Sequence, residues 1–294
     1  MVEKSVAIVI LNYNSLEETR SLVKSIRIHE RKCNPYIYII DNASNDAALL
    51  KNEEYDKCKI ILLKDNNGYA AGNNYGIRKA IEDGFDYIVI ANSDTVIIND
   101  NTIYSLIMEM TRNNAHIIGP KILDKNRKES SGAGTVSIFG KVRDEFTKSI
   151  TWCQCIIGAF FVLDKELIKN VGYINEKYFL YLEETDFFLN CFRMGYKTLY
   201  YPKISVIHYG GTTTSKVYDY YISRNRFMLA ERNFNTPHLL VSMYLLFEYI
   251  ITDIKQFVAC KVGIRKYDYK FRRKMRWKGY IDGVKKIYGK KQKL

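Results

Sequence analysis

Proline is scarce, four residues in 294, and no low-complexity linker or internal repeat interrupts the chain. That argues against a string of separate modules, and the length suits one large domain or a domain with an appendage. The six cysteines (Cys33, Cys58, Cys153, Cys155, Cys191 and Cys260) show neither zinc nor thioredoxin spacing and no paired Cys-His cluster. Free thiols in a reducing compartment are the expectation. No Gly-x-Gly-x-x-Gly follows the first apolar run and no P-loop signature occurs, which sets aside the nicotinamide fingerprint and P-loop chemistry. Met1-Val-Glu-Lys leads straight into the first strand without a basic region and cleavable apolar stretch, so a cytoplasmic location is expected.

What is present is enough apolar material for a full core, 47% of residues, and a net charge of +13. The charge is uneven. From Arg265 onward there are thirteen basic residues (Arg265, Lys266, Lys270, Arg272, Arg273, Lys274, Arg276, Lys278, Lys285, Lys286, Lys290, Lys291 and Lys293), opposed only by Asp268 and Asp282, so this tail holds +11 of the +13. Such a tail suits an anionic membrane surface or nucleic acid. Tyr267, Tyr269, Phe271, Trp277, Tyr280 and Tyr288 are interleaved with the cations, as interfacial segments require. No recognised nucleic-acid fold accompanies it, so the membrane surface is the expected partner. The preceding Leu239–Cys260 stretch is strongly apolar but broken by Glu248, Asp253 and Lys255. A helix in the interface, or packed on the body, is expected rather than one that spans.

Apolar runs of strand length occur at Val6–Leu11, Tyr36–Ile40, Ile60–Leu63 and Tyr87–Ala91. Between them Ser15-Leu-Glu-Glu18 spells a capping box, with Leu16, Thr19, Leu22, Val23 and Ile26 at helical spacing. Ala70–Ala80 and Asn101–Arg112 read as further helices. This order predicts an α/β fold with a mostly parallel sheet and helices on both faces. Further on, Ile156–Leu163 is a strand candidate and Asp164–Asn170 a short helix closed near Gly172. Glu183–Met194 is a helix, and Thr198–Tyr201 and Ile204–Ile207 are short strands around Pro202.

Polar clusters stand at the ends of the first four strands: Asn12-Tyr13-Asn14, Asp41-Asn42-Ala43-Ser44, Asn66-Asn67-Gly68 and Asn92-Ser93-Asp94. In a parallel sheet those ends converge on the edge where open α/β sheets bind ligands. Singly each is an ordinary polar turn; four in register argue for a nucleotide site. Asp41 can accept from a pyrimidine N–H or a ribose hydroxyl. Gly68, Gly72 and Asn73 open a helix whose N-terminus favours anions. Asp94 can hold a divalent cation against a diphosphate. Glu183-Glu184-x-Asp186 opens another helix, where the dipole keeps carboxylates ionised, as a general base must be. The preceding Tyr178-Phe-Leu-Tyr181 could wall a sugar site. His208, before Gly210-Gly211, can complete a metal site.

With Val9-Ile-Leu-Asn-Tyr-Asn14, Ile40-Asp-Asn-Ala-Ser-Asn-Asp46, Asn66–Gly76, Asn92-Ser-Asp94, Gly158-Ala-Phe-Phe, Phe179–Asp186, His208-Tyr-Gly-Gly-Thr212 and Tyr221-Ile-Ser-Arg-Asn225, the chain resembles inverting glycosyltransferases of family 2 with the GT-A fold. The likeness is strongest to bacterial rhamnosyltransferase and galactofuranosyltransferase types. It implies a catalytic domain over 1–232 and a C-terminal extension over 233–294. It also implies a UDP- or dTDP-sugar donor and Mg2+ or Mn2+; the apolar helix and basic tail, as a membrane-surface anchor, add the expectation of a glycan acceptor carried on a polyprenyl diphosphate at the inner face of the cell membrane. By resemblance, Asn12, Tyr13, Asn14, Asp41, Asn67, Gly68, Gly72, Asn73, Asn92 and Ser93 bind the donor, and Arg224 and Asn225 help close its site. Asp94 and His208 serve the metal, and Glu184, or else Glu183 or Asp186, is the base. The sequence departs from the family pattern at Asn92, where the first metal-element acid belongs, and at Glu184, where an Asp is usual. These departures keep a catalytically inactive sugar-nucleotide-binding subunit in play, and a sugar nucleotidyltransferase is a further expectation because a similar sheet can bind nucleotides.

Overall fold

A computed structural model describes residues 5–210, 215–261 and 269–292. Met1–Lys4, Gly211 and Thr212 after the histidine turn, and Arg265, Lys266, Tyr267, Asp268 and Lys293 of the basic stretch lie outside the described residues. In chain order the elements are β1 (Val6–Asn12), α1 (Leu16–His29), β2 (Tyr36–Asp41), α2 (Ala47–Lys51), β3 (Cys58–Leu62), α3 (Tyr69–Glu82) and β4 (Tyr87–Asn92). Then come β5 (Thr95–Ile97), α4 (Thr102–Arg112), β6 (Ile117–Leu123), β7 (Glu129–Ser131), β8 (Ala133–Val136), β9 (Val142–Glu145), β10 (Thr151–Cys153), β11 (Phe160–Asp164) and α5 (Lys165–Val171). The chain ends with α6 (Glu183–Arg193), β12 (Thr198–His208), α7 (Ser215–Phe234), α8 (His238–Lys261) and α9 (Tyr269–Val284).

Two compact units divide the chain: Met1–Thr135, Arg143–Glu176 and Glu183–Gly210 in the first; Val136–Val142, Lys177–Leu182 and Gly211–Leu294 in the second. The division after Gly210 differs from the boundary expected at 232. The reason is that Phe227 and Ala230 of α7 share a core with Val241, Leu245 and Tyr249 of α8.

In the first unit the sheet runs β10-β12-β6-β11-β4-β1-β2-β3, with β5 on β12 and β7 on β6. The β4-β1-β2-β3 half is parallel throughout. Beyond it β11 lies antiparallel between β4 and β6, and β12 returns parallel to β6. The sheet is therefore mixed rather than mostly parallel. Helices cover both faces by the alternation of β1. Val6, Ile8 and Ile10 face the core shared with Leu22 and Ile26 of α1 and Ile103 and Leu106 of α4. Val9 and Leu11 face α3, where a Cβ at Gly76 or Gly72 would come within 2.3 Å of them.

Two strands differ from expectation. Ile156–Ala159 is not strand; β11 begins at Phe160, after a turn at Gly158-Ala159. The two short strands around Pro202 are one strand, β12, whose register on β6 shifts between Tyr201 and Ser205. A bulge is where a residue without an N–H is tolerated.

In the second unit several cations of the basic stretch find acids, most of them upstream of it. Arg272 forks onto Asp219 at 2.6 and 3.0 Å, Arg273 and Arg276 meet Asp253 at 3.0 and 2.9 Å, Lys286 meets Glu231 at 3.2 Å and Lys291 meets Asp282 at 2.6 Å. A count along the tail alone overstates its free charge. No described helix is long and apolar enough to cross a membrane.

Candidate active site

The strand ends meet in register: Asn12 lies opposite Asp41, and Leu11 opposite Asn92. Asn12 is wholly buried. Its Nδ2 donates to Asp41 Oδ2 at 2.7 Å and Ser44 Oγ at 3.1 Å, and its Oδ1 accepts from Ser15 Oγ and Thr19 Oγ1. Asp41 Oδ1 accepts from the Ser44 amide at 2.9 Å. Asn14 sits at φ 51° and accepts from the Asn45 amide, while Tyr13 stands exposed beside it. Ser15 does not make the expected capping box; its Oγ spans from Asn12 to Ser93 Oγ at 2.8 Å. One hydroxyl thus ties the end of β1 to the end of β4.

Gly68 precedes α3 at φ 96°, a left-handed conformation that favours glycine. Asn66 Oδ1 accepts from its amide at 2.9 Å and from Asn42 Nδ2 at 3.0 Å. Asn67 is exposed. No side chain caps α3, and its first turn holds no acid, so its first-turn N–H groups suit an anion. Gly72 has a different place from the one expected. It packs α3 on Leu11 of β1 and stands inside the helix rather than at its open end. Asn73 is wholly buried and donates to the Tyr69 carbonyl.

At β4, Asn92 Oδ1 is buried without a protein partner. Two residues on, Asp94 Oδ1 lies 3.2 Å from His208 Nε2. The antiparallel pairing of β5 with the end of β12 makes this contact, because it sets His208 opposite Thr95. No group of three or more His, Cys, Asp or Glu able to hold a metal occurs among the described residues. The pair still fits a divalent ion that keeps waters and diphosphate oxygens as its other ligands, with the Asn92 carbonyl oxygen at the same strand end.

The α6 acids differ in exposure. Glu183 and Asp186 are buried, whereas Glu184 keeps part of its surface. Burial nevertheless pushes the Glu184 carboxyl above the usual glutamate range. Its side chain fills the space beside Gly158, where a Cβ would come within 2.5 Å of Glu184 Cγ. The Gly158 carbonyl accepts from Tyr69 Oη at 2.7 Å. The Tyr69 phenol is raised well above its ordinary value by burial, and the charges of Glu184, Glu183 and Asp94 add to this. Tyr69 and Gly158 were given no chemical role from sequence. The available signal was Tyr69 directly after Gly68, at a helix start. Gly158→Ala is expected to displace Glu184 and lower kcat about 100-fold, with the donor-induced thermal shift unchanged; steady-state kinetics beside thermal melts would check this.

Arg224 and Asn225, expected to help close the donor site, hold backbone in the structure. Both are buried in the second unit. Asn225 Nδ2 donates to the carbonyls of Tyr178, Leu180 and Tyr181 at 3.2, 2.9 and 2.8 Å. Arg224 donates to the carbonyls of Tyr178 and Gly289 at 2.7 and 2.6 Å. They clamp a strained segment, since Phe179, Tyr181 and Leu182 all have positive φ. Nor does Tyr178-Phe-Leu-Tyr181 form a sugar wall within that unit: Tyr178 is wholly buried, and the other three pack with Tyr220, Tyr221 and Met275.

Comparison with known proteins bears on the family and the fold. The chain is 27% identical over 266 residues to the dTDP-rhamnosyl transferase RfbF of Shigella flexneri, covering 84% of this chain and 86% of the relative. It is 26% identical over 201 residues to the low-salt glycan biosynthesis hexosyltransferase Agl10 of Haloferax volcanii, covering 64% of this chain and 60% of that one. Among solved structures, GalNAc-T7 with UDP, GalNAc and Mn2+ matches with a TM-score of 0.61 at 15% identity, over 97% of this chain and 56% of its own. S. aureus TarS 1-349 in complex with UDP matches with a TM-score of 0.54 at 15% identity, over 81% and 68%. At such identities these structures speak for the fold alone, a GT-A-like α/β fold. The profile of Glycosyl transferase family 2 matches residues 7–172, more than half of the chain, and the chain belongs to that family.

Proposed function

We propose that this glycosyltransferase moves a hexose, rhamnose- or galactofuranose-like, from a UDP- or dTDP-sugar to a hydroxyl of a glycan acceptor, with inversion. The acceptor is carried on a polyprenyl diphosphate at the inner membrane face, in cell-surface polysaccharide synthesis. The observation that carries the reading is the set of polar strand ends in register at Asn12, Asp41 and Asn92, followed by the Asp94–His208 contact, with Glu184 packed on Gly158, whose carbonyl accepts from Tyr69. The rhamnosyl and hexosyl relatives support the sugar class.

In this reading the Asp41–Asn12–Ser44 network shapes the end that meets the base and ribose, with Tyr13 and Asn14 beside it. The uncapped start of α3 at Gly68 faces the diphosphate. Glu184 takes the proton of the acceptor hydroxyl as its oxygen attacks the anomeric carbon, on the face opposite the departing nucleoside diphosphate. Glu183 and Asp186 are turned inward and do not reach an acceptor. A divalent ion held by Asp94 and His208 supplies charge neutralisation for the leaving diphosphate when bound.

The test is a donor panel by thermal shift, with Mg2+ or Mn2+ present and then chelated. Ligand at a hundredfold excess over Kd adds about 2.7 kcal/mol of stability. One UDP- or dTDP-sugar is expected to raise the melting temperature only with metal. No shift with any nucleotide sugar would overturn the donor site. Release of inorganic diphosphate, instead of a nucleoside diphosphate, would point to a nucleotidyltransferase.

A further inference from the structure

Helix α8 has 24 residues and so runs about 36 Å. Its inner side buries Val241, Leu245, Tyr249 and Asp253. On its outer side Leu239, Met243, Phe247, Ile250, Ile254 and Phe257 recur every three or four residues, 45% to 69% exposed. This is one unbroken apolar stripe, unlike the scattered apolar side chains any surface carries.

The charges around the stripe decide what can cover it. Both acids of α8 are engaged: Glu248 with Arg226 and Lys141, Asp253 with Arg273, Arg276 and Trp277. Lys255 and Lys261 of α8 and Lys270 and Lys274 of α9 are exposed and have no carboxylate partner among the described residues. Lys261 lies over the Phe257 ring. A crevice of about 690 Å³ opens where these helices meet, walled by Phe257, Tyr269 and Trp277 and also lined by Lys261, Lys270 and Lys274. The exposed face is thus apolar with cations beside it. A second copy of the same face would set like charge against like, whereas an anionic lipid surface complements it.

We propose that α8 docks in the plane of an anionic bilayer, its stripe at the acyl boundary and its neighbouring lysines among the headgroups. The inference deepens the reading of a membrane-borne acceptor and rests on it. It places the contact on a helix face rather than on the basic tail as a whole.

Flotation of the full-length protein with phosphatidylcholine vesicles, with and without phosphatidylglycerol, tests it. The protein is expected to float with phosphatidylglycerol vesicles only, less so as salt rises. Phe247→Asp with Ile254→Asp is expected to cut binding at least about tenfold, and so is Lys270→Glu with Lys274→Glu. All four positions are exposed, and unchanged melting temperatures would show intact folding. Failure of the wild type to float, or equal flotation of the stripe variant, would overturn the proposal. So would a wild-type dimer that the stripe variant turns into a monomer while lipid binding stays the same. The donor-induced thermal shift, measured on the same samples, keeps a failure here separate from a failure of the donor site.

Discussion

Glu184→Gln is expected to lower turnover by about 10²- to 10⁴-fold, the usual worth of a general base, while donor affinity stays unchanged. Gln keeps the volume and the contact with Gly158 but cannot take a proton. The groups proposed to meet the donor, at Gly68, Asp94 and the Asp41 network, are untouched. Glu183→Gln and Asp186→Asn make the comparison informative. Both acids are buried, so their loss is expected to act through folding and to cost less turnover per folded molecule. If Asp186→Asn matched Glu184→Gln in kcat with equal stability, the base would be Asp186. If Glu184→Gln kept full turnover, Glu184 would have no part in proton transfer.

The same carboxyl sets a pH dependence. Because burial raises it, the acid limb of kcat/KM is expected to lie above the ordinary glutamate value of about 4.3. Stability moves the other way. A carboxyl raised in the folded state favours folding when protonated, so its contribution is full below the unfolded value and is lost as pH rises through the folded one. Glu184→Gln is therefore expected to melt higher than wild type at alkaline pH, with the two curves converging toward acid. Melts across that range would show it. A gain that stayed constant with pH would mean that the Glu184 charge is not what burial penalises.

Much of the first unit was legible because its central strands are buried on both faces. Such strands read as continuous apolar runs, as at Val6–Asn12, Tyr36–Asp41 and Tyr87–Asn92. Strand β6 was not, since Gly119-Pro120 stands in its middle; the structure tolerates Pro120 opposite Tyr201, next to the register shift of β12. Helix α7 was hidden for another reason. It is buried on more than one side, and its interior takes Arg224 and Asn225 along with Tyr220 and Phe227, so no polar face alternates with an apolar one. The strand-end clusters were legible as a group because parallel topology brings them together. The pairing of Asp94 with His208 was legible only through the family resemblance, because the contact depends on the short β5 pairing with β12. Arg224 and Asn225 illustrate what a motif leaves unsaid: it marks them as helping to close the donor site, while their hydrogen bonds to backbone carbonyls and to each other depend on the fold.

Asp253→Ala is expected to cost about 3–5 kcal/mol in the second unit, the usual result of removing one partner from a buried ion pair. Read along the sequence, Asp253 is a charge that interrupts an apolar helix. In the fold it is nearly inaccessible and receives Arg276 at 2.9 Å, Trp277 at 2.8 Å and Arg273 at 3.0 Å. Arg276 is itself buried, so Ala leaves a guanidinium enclosed without its carboxylate. The two tryptophans fall one to each unit, Trp152 in the first and Trp277 in the second. Trp152 is exposed, and Trp152→Phe leaves Trp277 fluorescence as a reporter of the second unit. With a urea slope of about 1–3 kcal/mol per molar, the Asp253→Ala midpoint should fall by roughly 1–5 M. Asp253→Asn keeps an acceptor for Trp277 and should lose less. Removing Arg273 and Arg276 together with Asp253, in favour of Leu or Met, should recover much of the loss, since a buried ion pair is often no more stable than packed hydrocarbon. An unmoved midpoint for Asp253→Ala would mean that the guanidinium finds water or another acceptor, and that α9 is held to α8 by its other contacts, Ser242 with Tyr280 among them.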